Sequence, residues 1–175
     1  HCGPVVDGNI LYFVGSGLGR IGGKGKAADA SKSKGKARAI RLSMDGGELR
    51  HETLWESPVE PGDYYASPVL YGGILYSVSI AGVLIAMDSR TGKTHYRKVL
   101  EPLGRVFASP AIAGDLLHIF GPSGKTWSIR TGPKGEILSE GQLGQELDFR
   151  VWSSPFFHGS SLFVREREHL YRFGK

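Results

Sequence analysis

The sequence predicts an all-β fold assembled from repeated four-stranded antiparallel units, and three observations carry that prediction. First, one short motif occurs four times: a proline, a glycine four residues on, and a bulky side chain eight residues on. The copies are Pro4/Gly8/Tyr12, Pro68/Gly72/Tyr76, Pro110/Gly114/His118 and Pro155/Gly159/Phe163. Each reads as strand, tight turn, strand, and self-similarity at a fixed period marks a repeat architecture. Second, the prolines stand 64, 42 and 45 residues apart, and the first interval is long because a lysine-rich segment interrupts it. Third, alternating, β-branched and aromatic residues between glycines mark four strands in each period, the strand count of a β-propeller blade.

The second repeat shows the elements most clearly. Residues 68–71 form a first strand, Gly72-Gly73 a turn, 74–79 a second strand and Ala81-Gly82 a turn. A third strand over 83–88, an Arg90-Thr91-Gly92-Lys93 turn and a fourth strand over 94–99 complete the unit. In the other copies Gly82 recurs as Gly124, and the third strand recurs over 125–130, 169–173 and 38–43. Before each proline a large residue precedes two small ones: Tyr65-Ala66-Ser67, Phe107-Ala108-Ser109, Trp152-Ser153-Ser154 and His1-Cys2-Gly3. The small pair predicts a crowded inner strand. Within a single domain over 1–175, the blades are expected at about 1–57, 63–101, 105–145 and 149–175, with a loop insertion at about 17–37 in the first.

This register resembles the pyrroloquinoline-quinone-type (PQQ-like) β-propeller repeats of quinoprotein dehydrogenases, outer-membrane assembly lipoproteins and many secreted proteins. The resemblance is carried by Ser67-Pro68-Val69-Leu70-Tyr71-Gly72-Gly73-Ile74-Leu75-Tyr76 and Ala86-Met87-Asp88-Ser89-Arg90-Thr91-Gly92-Lys93-Thr94-His95-Tyr96. The family pattern places a tryptophan after the Thr-Gly turn to dock one blade on the next. Here Tyr96 takes that place, and the copies at Thr131-Gly132 and Gly46-Gly47 depart further. The resemblance implies a bacterial periplasmic or secreted protein. It also implies a seven- or eight-bladed propeller, of which this chain would be the C-terminal half: three complete blades and a fourth that stops after its third strand. A quinoprotein alcohol or sugar dehydrogenase of this family would bring PQQ, calcium, a catalytic acid and a vicinal cysteine pair. The sequence has one cysteine and no Asp or Glu in such a motif, so it assigns no catalytic residue, no metal ligand and no cofactor.

Charge is distributed unevenly. Residues 22–36 contain Lys24, Lys26, Lys32, Lys34 and Lys36 against Asp29, a local charge of +4 in a chain of net charge +5. Their Gly, Lys, Ser and Ala content cannot bury enough apolar area to order itself, which predicts a solvated loop between the second and third strands of the first blade. The same lysines suit a basic arm for an anionic partner such as a polysaccharide, a lipid head group or nucleic acid, of which nucleic acid is disfavoured. No apolar stretch approaches the ~20 residues needed to span a bilayer. Cys2 shares a column with Ala66, Ala108 and Ser153, which reads as a packed small residue.

In an up-and-down blade, the loop between the second and third strands lies on the same face as the link into the next blade. Those links carry Asp63-Tyr64, Arg105-Val106 and Arg150-Val151, and Arg165-Glu166-Arg167-Glu168 reaches the same face in the last blade. Asp63, Tyr64, Arg105 and Arg150 are therefore the candidate ligand-binding residues, at the channel mouth. Two equivalent arginines suit a carboxylate or phosphate. Rim salt bridges to Asp63, Glu146 or Asp148 are the structural alternative.

Other matches to chemical motifs fail. The Gly17-Leu18-Gly19-Arg20-Ile21-Gly22 run has dinucleotide-binding spacing, but no apolar helical face follows it. Residues 121–126 would need a further glycine at Ile119 to form a phosphate loop. The histidines lack metal spacing, with His118 in a strand column, and no Gly-x-Ser-x-Gly elbow is present. Three classes remain: a non-catalytic scaffold that binds a protein or polymer, which is favoured, part of a PQQ- and calcium-dependent dehydrogenase, and an adaptor for anionic polymers.

Overall fold

Four antiparallel sheets follow one another along the chain in the computed structural model, which describes residues 2–16, 35–101, 104–143, 151–166 and 168–174. The first sheet contains β1 (Val5–Asp7), β2 (Ile10–Ser16), β3 (Gly35–Asp45) and β4 (Glu48–Val59). The second contains β5 (Val69–Tyr71), β6 (Ile74–Val78), β7 (Val83–Asp88) and β8 (Thr94–Val99). The third contains β9 (Ala111–Ala113), β10 (Leu116–Phe120), β11 (Lys125–Arg130) and β12 (Ile137–Gln142). The fourth contains β13 (Phe156–His158), β14 (Ser161–Arg165) and β15 (Leu170–Phe173). Each strand pairs with its sequence neighbour, the up-and-down order of a propeller blade. Among the described residues no helix is long and apolar enough to cross a membrane.

The repeated glycine sets the register. Gly8, Gly72, Gly114 and Gly159 hold φ of 58°, 58°, 60° and 57°, the left-handed conformation that the tight hairpin between first and second strands requires. Pairing outward from that hairpin aligns Val5, Tyr12, Ala39 and Trp55 across the first sheet. Val69, Tyr76, Ala86 and Tyr96 form the same row in the second, and Ala111, His118, Ser128 and Ser139 in the third. A register shift follows Ala39, Ala86 and Ser128 alike, so the bulge belongs to the repeat.

The apolar core lies between sheets. Leu75, Ile85 and Met87 of the second sheet pack with Tyr12, Val14 and Trp55 of the first. Tyr76, Val78, Leu84 and Ala86 pack on the other side with Leu117, Ile119 and Trp127 of the third. Phe120, Val151 and Val164 continue the stack into the fourth. This two-sided burial explains why β6 is buried at every residue although strand side chains alternate. β12, an outer strand, is exposed throughout.

Two expectations need correction. The insertion is shorter than the sequence suggests, because β2 ends at Ser16 and β3 starts at Gly35. Lys36 is thus a strand residue, and its ammonium pairs with the Glu56 carboxylate, which Arg38 also contacts at 2.6 Å. Residues 65–67, 107–109 and 152–154 are links that precede β5, β9 and β13, not part of the inner strands. In the first two of these links the Ser67 and Ser109 amides, which a strand ladder would engage, go to serine side chains of the next repeat instead. Gly3 donates to Ser67 Oγ at 2.9 Å, Ser67 to Ser109 Oγ at 2.9 Å and Ser109 to Ser154 Oγ at 3.0 Å.

Candidate binding face

The links into successive sheets meet the loops between second and third strands through backbone hydrogen bonds. Ile80, in the β6–β7 loop, donates to the Asp63 carbonyl at 2.9 Å and accepts from the Val106 amide at 2.9 Å. Pro122, its counterpart in the β10–β11 loop, accepts from Val151 at 3.1 Å. These bonds put links and loops on one face, as the strand order predicts. The paired ends of β2 and β3 at Ser16 and Gly35 are the equivalent connection of the first sheet.

Extended backbone in the links sends neighbouring side chains in opposite directions. Tyr64, Val106 and Val151 are buried at 5%, 0% and 0% exposure. Tyr65 and Trp152 are 41% and 63% exposed, with Phe107 half-buried between them. The three rings form a row across consecutive repeats: Tyr65 and Phe107 centroids are 5.5 Å apart, Phe107 and Trp152 centroids 6.0 Å, with interplanar angles of 55° and 53°. Two residues after each ring stand Ser67, Ser109 and Ser154, whose hydroxyls accept the amides of the relay.

The candidates named from sequence separate on this face. Arg105 is exposed and forms no ion pair with a carboxylate among the described residues. Asp63 is half-buried and held through its backbone carbonyl. Tyr64 instead points into the core of the first two sheets, where its hydroxyl donates to the Glu60 carbonyl at 3.3 Å. Burial, reinforced by the Glu60 charge, raises its phenol far above the ordinary range and keeps it protonated. Arg150, Glu146, Asp148 and Arg167 lie outside the described residues, as do Lys24, Lys26, Lys32, Lys34 and the Gly17 to Gly22 run.

The residues read as structural have packing partners. Cys2 is half-buried, its thiol donates to the Val14 carbonyl at 2.9 Å, and burial raises its pKa above the usual 9.0. His118 Nδ1 lies 3.0 Å from Ser128 Oγ, and its ring centroid is 5.0 Å from that of Phe157 in the next sheet. Among the described residues no group of three His, Cys, Asp or Glu side chains converges to hold a metal ion.

Two features escaped the sequence. The aromatic row was visible as a large residue before two small ones, but residue type alone did not tell a packed ring from an exposed one. Trp55 also occupies the blade-docking position of the first sheet, and its indole N–H donates to the Ser89 carbonyl of the second at 2.8 Å.

No protein-family model matches the chain, and no curated protein matches it significantly. Among solved structures it is similar to BamB from Moraxella catarrhalis, with a TM-score of 0.62 and 15% identity over 83% of this chain and 46% of that one. It is also similar to a europium-containing methanol dehydrogenase, with a TM-score of 0.56 and 14% identity over 80% of this chain and 24% of that one. The computationally designed Ika4 protein gives a TM-score of 0.63 and 11% identity over 98% of this chain and 88% of that one. The chain thus spans less than half the length of the first two. At these identities the likeness is one of fold: an array of β-propeller blades that resembles the PQQ-like propellers.

Proposed function

We propose that this chain is a non-catalytic binding scaffold whose blades present one charged face to an anionic partner. The observation that carries the reading is the pair of hydrogen bonds at Ile80, whose amide donates to the Asp63 carbonyl and whose carbonyl accepts from the Val106 amide, tying links and loop together on one side, with Arg105 exposed next to Val106. Sequence adds Arg150 in the equivalent link and four lysines, Lys24, Lys26, Lys32 and Lys34, in the insertion between the ends of β2 and β3. A concentration of one sign of charge raises the local concentration of an oppositely charged partner and speeds its encounter. A periplasmic or secreted setting belongs to the same reading, by resemblance.

The test is retention on immobilised heparin. A variant that lacks residues 22–34 and carries Arg105→Ala keeps β3 and the Lys36 to Glu56 pair intact. It should elute at clearly lower salt, with the difference from the parent largest at low ionic strength, where screening is weak. Identical elution of the two proteins would overturn the proposal.

A further inference from the structure

We infer that the Tyr65, Phe107 and Trp152 row is a binding surface for an acidic polysaccharide, one whose sugar rings carry carboxylates. The inference rests on the reading above and names the partner class of the same face. Its first support is exposure. Large aromatic rings dominate core and interface energetics when buried, yet here a tryptophan is 63% exposed and a tyrosine 41%. The second is repetition. The rings come from equivalent positions of three consecutive repeats, so the surface is itself periodic and suits a polymer with repeating flat apolar faces.

The polar groups beside the rings narrow the ligand. Ser67, Ser109 and Ser154 each accept a backbone N–H from the preceding repeat. A hydroxyl that accepts still has its own proton to donate, so a line of donors accompanies the line of rings. Arg105, two residues before Phe107, adds an exposed guanidinium suited to a carboxylate. A ligand that satisfies all three has an apolar ring face, acceptor-rich edges and negative charge. A uronate pyranose has all of these: C–H groups on its face, hydroxyls around its edge and a carboxylate. An acidic peptide has the charge without the repeating faces. A single-stranded nucleic acid has faces and charge, but the bases of a continuous stack are about 3.4 Å apart. Rings spaced 5.5 and 6.0 Å apart and tilted by 55° and 53° do not continue such a stack.

The experiment titrates the 175-residue chain with oligogalacturonate, polyglutamate and oligothymidylate by calorimetry, alongside acrylamide quenching of tryptophan fluorescence. Trp55 and Trp127 are only 9% and 5% exposed, so quenching reports chiefly on Trp152. Oligogalacturonate should shield Trp152 from acrylamide. Trp152→Ala should weaken its binding by about tenfold, and Trp152→Phe should restore most of the loss. Polyglutamate binding should not respond to either substitution. If polyglutamate shields Trp152 equally, or oligothymidylate binds the ring more tightly than the sugar, this inference falls. Heparin retention combined with oligogalacturonate binding that ignores Trp152→Ala overturns the aromatic surface alone. Loss of retention on every anionic polymer overturns the charged face and this inference together.

Discussion

Trp55 covers Gly92, and the contact fastens the first sheet to the second. A Cβ built on Gly92 would lie 2.5 Å from Trp55 Cε3 and 2.6 Å from Ser57 Oγ, while the indole N–H holds the Ser89 carbonyl of the same turn at 2.8 Å. Gly92 also has φ of 70°, so Gly92→Ala combines backbone strain with steric overlap. It should cost about 2 to 4 kcal/mol of unfolding free energy in urea titration. Trp55→Ala should cost about 3 to 5 kcal/mol. In the double variant the two losses should fall short of additive, because removal of the indole makes room for the new methyl group. Strict additivity would show that the two residues do not share an interface.

The second sheet repeats the arrangement with a different polar outcome. Tyr96, in the row position of Trp55, lies over Gly135 of the third sheet so closely that no Cβ fits there. Its hydroxyl, however, is buried with no hydrogen-bond partner among the described residues, and burial raises its phenol well above the ordinary range. An unmet buried hydroxyl carries a desolvation penalty of about 1 to 3 kcal/mol. Tyr96→Phe should therefore leave stability unchanged or raise it by up to about that amount. Trp55→Phe should lower stability, because it abandons the Ser89 carbonyl. In paired urea titrations Tyr96→Phe should match or exceed the parent while Trp55→Phe falls below it, and a loss in both variants would contradict this.

The contrast shows which parts of the molecule the sequence discloses. Strands 83–88, 94–99 and 125–130 match β7, β8 and β11 residue for residue, because glycines at fixed offsets and period-2 side chains set them locally. Trp55 was missed because its hairpin is longer. The turn glycine Gly92 precedes Tyr96 by four residues, whereas Gly47 precedes Trp55 by eight. Counting from the turn therefore loses the column that the Ala39 to Trp55 and Ala86 to Tyr96 pairs make plain. The face carrying Arg105 followed from strand order alone. Which of the adjacent Tyr64 and Tyr65 turns outward did not, since both are large aromatics and only packing against the neighbouring sheet sends Tyr64 inward.

His118 supplies a pH dependence whose sign is fixed by its surroundings. It stands where Tyr76 and Phe163 stand in neighbouring sheets, against Phe157 and 3.0 Å from Ser128 Oγ. Burial disfavours the imidazolium and lowers the pKa below 6.5. The unfolded chain, titrating near 6.5, then binds a proton that the folded chain refuses, so stability rises with pH across that interval. The contribution is complete above about pH 7, and it is lost as pH falls through 6.5 until the folded-state value is passed. His118→Phe keeps an aromatic ring against Phe157 and removes the titration. Between pH 7.5 and 5, the urea midpoint of the parent should fall further than that of the variant, so the gap between them should shift in favour of phenylalanine on acidification. Parallel pH profiles for the two proteins would mean that His118 is solvated in the folded state.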